Sequence, residues 1–145
     1  MARSILVLAA VLLFGGCNLP SSNKISDSAI EAEVDKFHEH FNRGDDDAIL
    51  READQVLRRS EDSKIEFFAV VTLIRNSNGF AKKTKMIFHR EVKYPDHGLC
   101  ANVVMTTQFK KGQAFEKFVY CLDGADLKLA GYQTKEQLNE DDTNW

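Results

Sequence analysis

The chain predicts an α+β domain in which three N-terminal helices pack on one face of a curved four-stranded antiparallel sheet. Two observations carry that expectation. Apolar residues recur at three- and four-residue spacing as far as Ile74, then alternate with polar ones from Lys85 onward, so a helical period gives way to a strand period. Short turn-forming runs, Pro95-Asp96-His97-Gly98, Lys110-Lys111-Gly112 and Asp123-Gly124, separate the alternating stretches, which pairs each strand with its neighbour in sequence.

The first helix opens at Ser28-Ala29-Ile30-Glu31, a capping-box pattern, and carries Ile30, Val34, Phe37 and Phe41 on one stripe before Gly44 stops it. Asp45-Asp46-Asp47 starts the second, where carboxylates complement the helix dipole, and Ile49, Ala53, Val56 and Leu57 form its buried face. Ser63-Lys64-Ile65-Glu66 is a second capping box. It opens a third helix that turns Phe67, Phe68, Val71 and Ile74 to the core and ends at Asn76-Ser77-Asn78-Gly79.

In the first strand Met86, Phe88, Val92 and Tyr94 alternate with Lys85, Ile87, His89, Glu91 and Lys93, the pattern of a half-buried strand. The second runs from about Leu99 to Phe109, the third from about Gln113 to Leu122, and the fourth from Asp126 to Thr134.

Ahead of this domain, Met1-Ala2-Arg3-Ser4 is a short basic start, followed by the apolar run Ile5 to Phe14 and then Gly15-Gly16-Cys17. That is the layout of an export signal, and the run is too short to span a bilayer. Leu13-Phe14-Gly15-Gly16-Cys17 resembles a bacterial lipobox, with Phe14 where Leu is usual. The resemblance implies cleavage before Cys17, lipidation of that cysteine, and a protein held in the cell envelope. An ordinary secretory signal is the alternative. Asn18 after the cysteine is similar to the outer-membrane sorting pattern of enteric bacteria. Residues 18–27, polar and rich in Ser, read as a flexible tether, residues 28–134 as the domain, and 135–145 as a polar acidic tail.

Without the signal's Arg3, the chain's 19 basic residues become 18 against 22 acidic ones. Such a balance gives no electrostatic footprint for nucleic acid, which is excluded as an expected partner. The partners expected are the membrane, through the lipid anchor, and an envelope protein or small ligand.

Helices first and a meander after them resemble the nuclear transport factor two-like superfamily, also called cystatin-like, in which a bent sheet wraps the helices into a cone. Phe41-Asn42-Arg43-Gly44-Asp45 and Leu129-Ala130-Gly131-Tyr132 are similar to phrases in uncharacterised bacterial lipoproteins of that fold. The resemblance covers roughly Ser28 to Thr134. It implies a fold that serves both binding modules and enzymes, among them ketosteroid isomerases and dehydratases, and carries over no catalytic residue. It also implies dimerisation through the exposed sheet face, where Ile87, Val104 and Val119 are candidates.

Cys100 and Cys121 lie at nearly matched distances from the Gly112 turn. They are a candidate disulfide for an exported protein; two buried thiols are the alternative. His38-Glu39-His40 does not present two ligands on one face, because positions i and i+2 of a helix point roughly 200° apart. The expectation is one exposed imidazole and one at the edge of the apolar stripe. His89 and His97 have no ligand-spaced partners, so neither metal nor cofactor is expected. Tyr94, Tyr120, Tyr132, Arg90 and Asp54 are candidates to line a pocket inside the cone. No catalytic constellation stands out among them. The function expected is a lipid-anchored, non-enzymatic binding or structural module. The alternatives are a small-molecule isomerase or hydrolase working inside the cone, and a periplasmic inhibitor or immunity protein. Lys82-Lys83-Thr84-Lys85 and Lys110-Lys111 read as solvated strand edges, with contact to an acidic polymer or anionic headgroup as the alternative.

Overall fold

A computed structural model describes residues 24–138. The signal segment with Cys17, residues 18–23 and the last part of the acidic tail, 139–145, lie outside the described residues. The elements run α1 (Asp27–Arg43), α2 (Asp46–Glu52), α3 (Gln55–Arg58), α4 (Glu61–Asn78), β1 (Ala81–Tyr94), β2 (Gly98–Phe109), β3 (Gly112–Asp123) and β4 (Asp126–Lys135). The sheet is open and antiparallel, in the order β1-β2-β3-β4. The class is α+β as predicted, with four helices among the described residues instead of three. No helix among them is long and apolar enough to cross a membrane.

The extra helix arises at Ala53-Asp54. Ala53 is buried and extended, ψ 164°, and the Asp54 N–H donates to the Leu129 carbonyl at 2.8 Å, which draws the chain out of α2 toward β4. The Asp54 carboxylate then accepts from the Val56 N–H at 2.9 Å and caps α3. Val56 and Leu57 thereby leave the stripe expected of the second helix and are only half-buried.

Two helix starts differ from the capping boxes read in the sequence. Ser26, not Ser28, caps α1, its hydroxyl accepting from the Ala29 N–H at 3.2 Å. Ile25 before the cap and Ile30 inside the first turn are both buried in the core, a hydrophobic staple that fixes the entry. Ile25 to Asp27 therefore belong to the fold and not to a tether, and at the other end β4 runs one residue into the expected tail. Ser60, not Ser63, caps α4, leaving Glu61 and Asp62 in the first turn to complement the dipole. Gly44 closes α1 at φ 71° as expected, its N–H donating to the Phe41 carbonyl at 3.2 Å.

α1 and α4 lie on one face of the sheet. Val34, Phe37 and Phe41 of α1 and Phe67, Val71 and Ile74 of α4 share one core with Val103, Met105, Phe118 and Tyr120. The opposite face carries Cys100, Asn102 and Val104 of β2 beside Cys121, Val119 and Lys117 of β3. Bulges interrupt the parity of the outer strands. Met86 pairs with Met105 but Phe88 pairs with Val104, so the extra residue Ile87 puts Met86 and Phe88 on opposite faces, where simple alternation had them together. Ala130 is the matching extra residue in β4, between Leu129 opposite Tyr120 and Gly131 opposite Val119. Of the three residues expected to leave an apolar outer face, Ile87 is 46% exposed, Val119 is half-buried and Val104 is fully buried.

Candidate functional site

β3 alternates Ala114, Glu116, Phe118 and Tyr120 on its core face, opposite Thr107, Met105, Val103 and Ala101 of β2. One of these four β3 positions is a carboxylate, and Glu116 is 0% exposed. A buried carboxylate is expensive unless donors surround it. Glu116 has three, each from a different element. His38 of α1 places Nε2 2.8 Å from Oε2, Thr107 of β2 donates to the same oxygen, and the Tyr132 hydroxyl of β4 donates to Oε1 at 2.7 Å. The Thr107 hydroxyl also lies 2.7 Å from that of Thr84 on β1. All four strands and α1 thus converge on one side chain.

His38 Nε2 and Glu116 Oε2 share one hydrogen bond, which fixes the orientation of the ring. This corrects the expectation for His38-Glu39-His40: His38 is buried and hydrogen-bonded to Glu116, and His40 is half-buried. The sequence signal that would have found the site is the charged residue at an inward parity position of β3. The edge of His38 borders a surface cleft of about 320 Å³ shared with Asp35, Asn42, Lys83 and Thr84. Chemically, an imidazole oriented by a carboxylate is a proton-transfer unit when substrate can reach it, and a cross-element tie when it cannot.

Tyr132 and Tyr120 lie together on the core face, their rings 5.0 Å and 5.8 Å from that of Phe118, and Tyr132 lies 4.5 Å from Phe37. Burial, then the Glu116 charge and the hydrogen bond to it, pushes the Tyr132 phenol well above its ordinary value. Burial, followed by the charges of Glu33 and Glu116, does the same to Tyr120. The Tyr120 hydroxyl is buried with no hydrogen-bond partner among the described residues. It lines a cavity of about 20 Å³ with Glu33, Lys36, His40 and Glu52, a volume near that of one water molecule. Lys36 and Glu52 pair at 2.8 Å across its mouth, and this bond is the main reason the Lys36 ammonium is held above its ordinary value.

The other expected pocket residues are elsewhere. Tyr94 and Arg90 pair with Gly98 and Asn102 on the face away from the helices, where the Tyr94 hydroxyl accepts from Asn102 Nδ2 at 3.3 Å. Asp54 is a helix cap 3.7 Å from His97. His89 lies 3.1 Å from Asp27. Among the described residues no group of three or more His, Cys, Asp or Glu is placed to hold a metal ion. Cys100 and Cys121 face each other in the β2–β3 register and are joined as a disulfide, with sulfurs 2.06 Å apart, on the outer face.

The two family-like phrases both serve the architecture. Asn42 makes paired hydrogen bonds with the Ala81 backbone, at 2.9 Å to its carbonyl and 2.8 Å from its N–H, and so docks the start of β1 on the end of α1. Leu129-Ala130-Gly131-Tyr132 carries the β4 bulge and ends at the Glu116 donor. No family model, curated protein or solved structure matches this chain.

Proposed function

We propose that this chain is an envelope lipoprotein, held at the membrane by lipid on Cys17, whose domain binds a partner and performs no reaction. The observation that carries the second half is the filled interior. Phe37, Phe118, Tyr120 and Tyr132 close ring against ring where a substrate would enter the fold, and the cavity beside them is about 20 Å³, far below the several hundred Å³ of small-molecule sites. Glu116, the buried carboxylate, is engaged on both oxygens. The first half rests on the lipobox resemblance at Leu13 to Cys17. Helices first, a four-strand meander and bulges in its outer strands support placing the domain in the nuclear transport factor two-like superfamily, and Asn18 after the cysteine supports the outer membrane as its site.

The test is mass spectrometry of the N-terminal peptide from protein purified out of bacterial membranes. A peptide beginning at an acylated Cys17, and loss of membrane association in Cys17→Ser, are the expected results. An unmodified Cys17 overturns the anchor.

One observation favours a second reading, an isomerase or hydrolase: His38, hydrogen-bonded to the buried Glu116, borders the 320 Å³ cleft. Ligand titrations followed through the His38 ring resonances separate the two. On the binding-module reading, small molecules leave those resonances in place; a carbonyl or ester substrate analogue that shifts them, with turnover lost in His38→Gln, moves the conclusion to catalysis.

A further inference from the structure

The two lysine clusters, far apart in sequence, are one surface. The Lys110 N–H donates to the Phe80 carbonyl at 2.9 Å, and the Lys111 N–H to the Asn78 carbonyl at 3.0 Å. These bonds seat the β2–β3 hairpin tip on the α4–β1 junction. Gly79 permits the approach: at φ 77°, a Cβ there would stand 2.9 Å from the Lys110 Cβ. Lys82, Lys83, Lys110 and Lys111 are all exposed at this corner. Among them Phe80 is 50% exposed, and Leu73, on the last turns of α4, is 66% exposed. Asp35, Glu39 and Glu136 are the acidic side chains that share clefts with these lysines, three against four, so the corner is basic on a chain whose net charge is −3.

We propose that this corner docks on an anionic phospholipid surface, with Phe80 and Leu73 entering the headgroup region and the four lysines engaging phosphates. The proposal rests on the lipid-anchored reading and adds to it an orientation of the domain. An exposed aromatic ring ringed by lysines fits a bilayer interface, where apolar bodies sink while long cationic side chains keep their charge in the headgroup layer. Cys17 and Lys24 are seven positions apart, a reach of at most about 25 Å, and Lys24 enters at the opposite end of the 17-residue α1 from Asn42, which docks the start of β1. The tether keeps the domain within reach of the bilayer, and the charge and two exposed apolar side chains of the corner select it as the face that docks.

The experiment uses the full lipidated chain carrying Phe80→Trp and Trp145→Phe, reconstituted into vesicles with brominated acyl chains. Vesicles of phosphatidylcholine alone are compared with vesicles that also contain phosphatidylglycerol. The expected result is quenching of the indole in the anionic vesicles, its loss at high salt, and its loss when Lys82, Lys83, Lys110 and Lys111 are all changed to Gln. A chain that floats with the anionic vesicles yet shows no quenching overturns the docking and leaves the anchor standing. A chain that does not float at all overturns both. A concentration-dependent blue shift without quenching assigns the corner to a second copy of the chain and overturns the lipid contact.

Discussion

His38 and Glu116 are 78 residues apart in the chain and 2.8 Å apart in the fold, joining the middle of α1 to the buried centre of β3. Removing either partner leaves the other as a buried polar group without its hydrogen-bond partner. Glu116→Ala should therefore lower stability by about 3–5 kcal/mol, and Glu116→Gln by less, because the amide keeps one acceptor. Urea unfolding checks both. Equal midpoints for Glu116→Ala and wild type would show that the buried carboxylate contributes nothing.

Cys100 and Cys121 close a loop across one hairpin, 21 residues apart in sequence. Reduction, or Cys100→Ser with Cys121→Ser, should cost about 3 kcal/mol through the entropy returned to the unfolded chain. The midpoint of thermal unfolding measured with and without reductant reads it directly, and the fold itself should persist, since the core lies on the other face of the sheet.

Tyr120 and Tyr132 set the alkaline limit. Both phenols are raised well above 10.0 in the folded chain, so the native state keeps protons that the unfolded state sheds. Their contribution is intact below pH 10 and is lost as pH climbs from there through the folded values. Stability should decline above pH 10, and tyrosinate absorbance should show two of the three tyrosines ionising only as the chain unfolds. Early titration of all three would contradict the burial.

Arg75 ties α4 to the end of α1 and the start of α2 in three ways. Its Nε donates to the Phe41 carbonyl at 2.7 Å, its guanidinium forks onto Asp46, and it lies 4.9 Å over the Phe41 ring. Lysine cannot reproduce that planar fork. Arg75→Lys should cost about 1.5–3 kcal/mol, measured by chemical denaturation, and Arg75→Ala more. A lysine variant as stable as wild type would mean the charge alone suffices.

The position of the α4 cap offers a finer test. Ser60→Ala should cost about 1 kcal/mol, while Ser63→Ala, whose backbone N–H is the donor to Ser60, should cost a few tenths. The reverse order would return the helix start to Ser63.

Much of this fold is written locally. The stripe Ile30, Val34, Phe37, Phe41 and the turns at Gly112 and Gly124 depend on neighbours a few positions away, and the helices and the meander follow from them. What escaped depends on distant contacts. Ser26 caps α1 because Ile25 finds the core and its N–H finds Glu91, 66 residues on. α3 exists because Leu129 draws Asp54 aside. The candidate site escaped for the same reason: His38 reads as a stripe-edge imidazole until β3 brings Glu116 beside it. Tyr120 and Tyr132 were legible as inward tyrosines, whereas the Ile87 bulge, which shifts every later β1 residue by one, left Tyr94 and Arg90 on the far side.

The stitch between Ile25 and Glu91, reinforced by His89 and Asp27, also decides how the domain bears mechanical load. A pull transmitted along the chain ahead of Lys24 is shared between α1, which follows directly, and the edge strand β1, to which Ile25 and Asp27 are tied. β1 meets that force with an unbroken run of pairs to β2 from Phe88 to Tyr94. That ladder and the helix lie between the entering chain and the buried centre at Glu116, so the margin of the domain is loaded before its core.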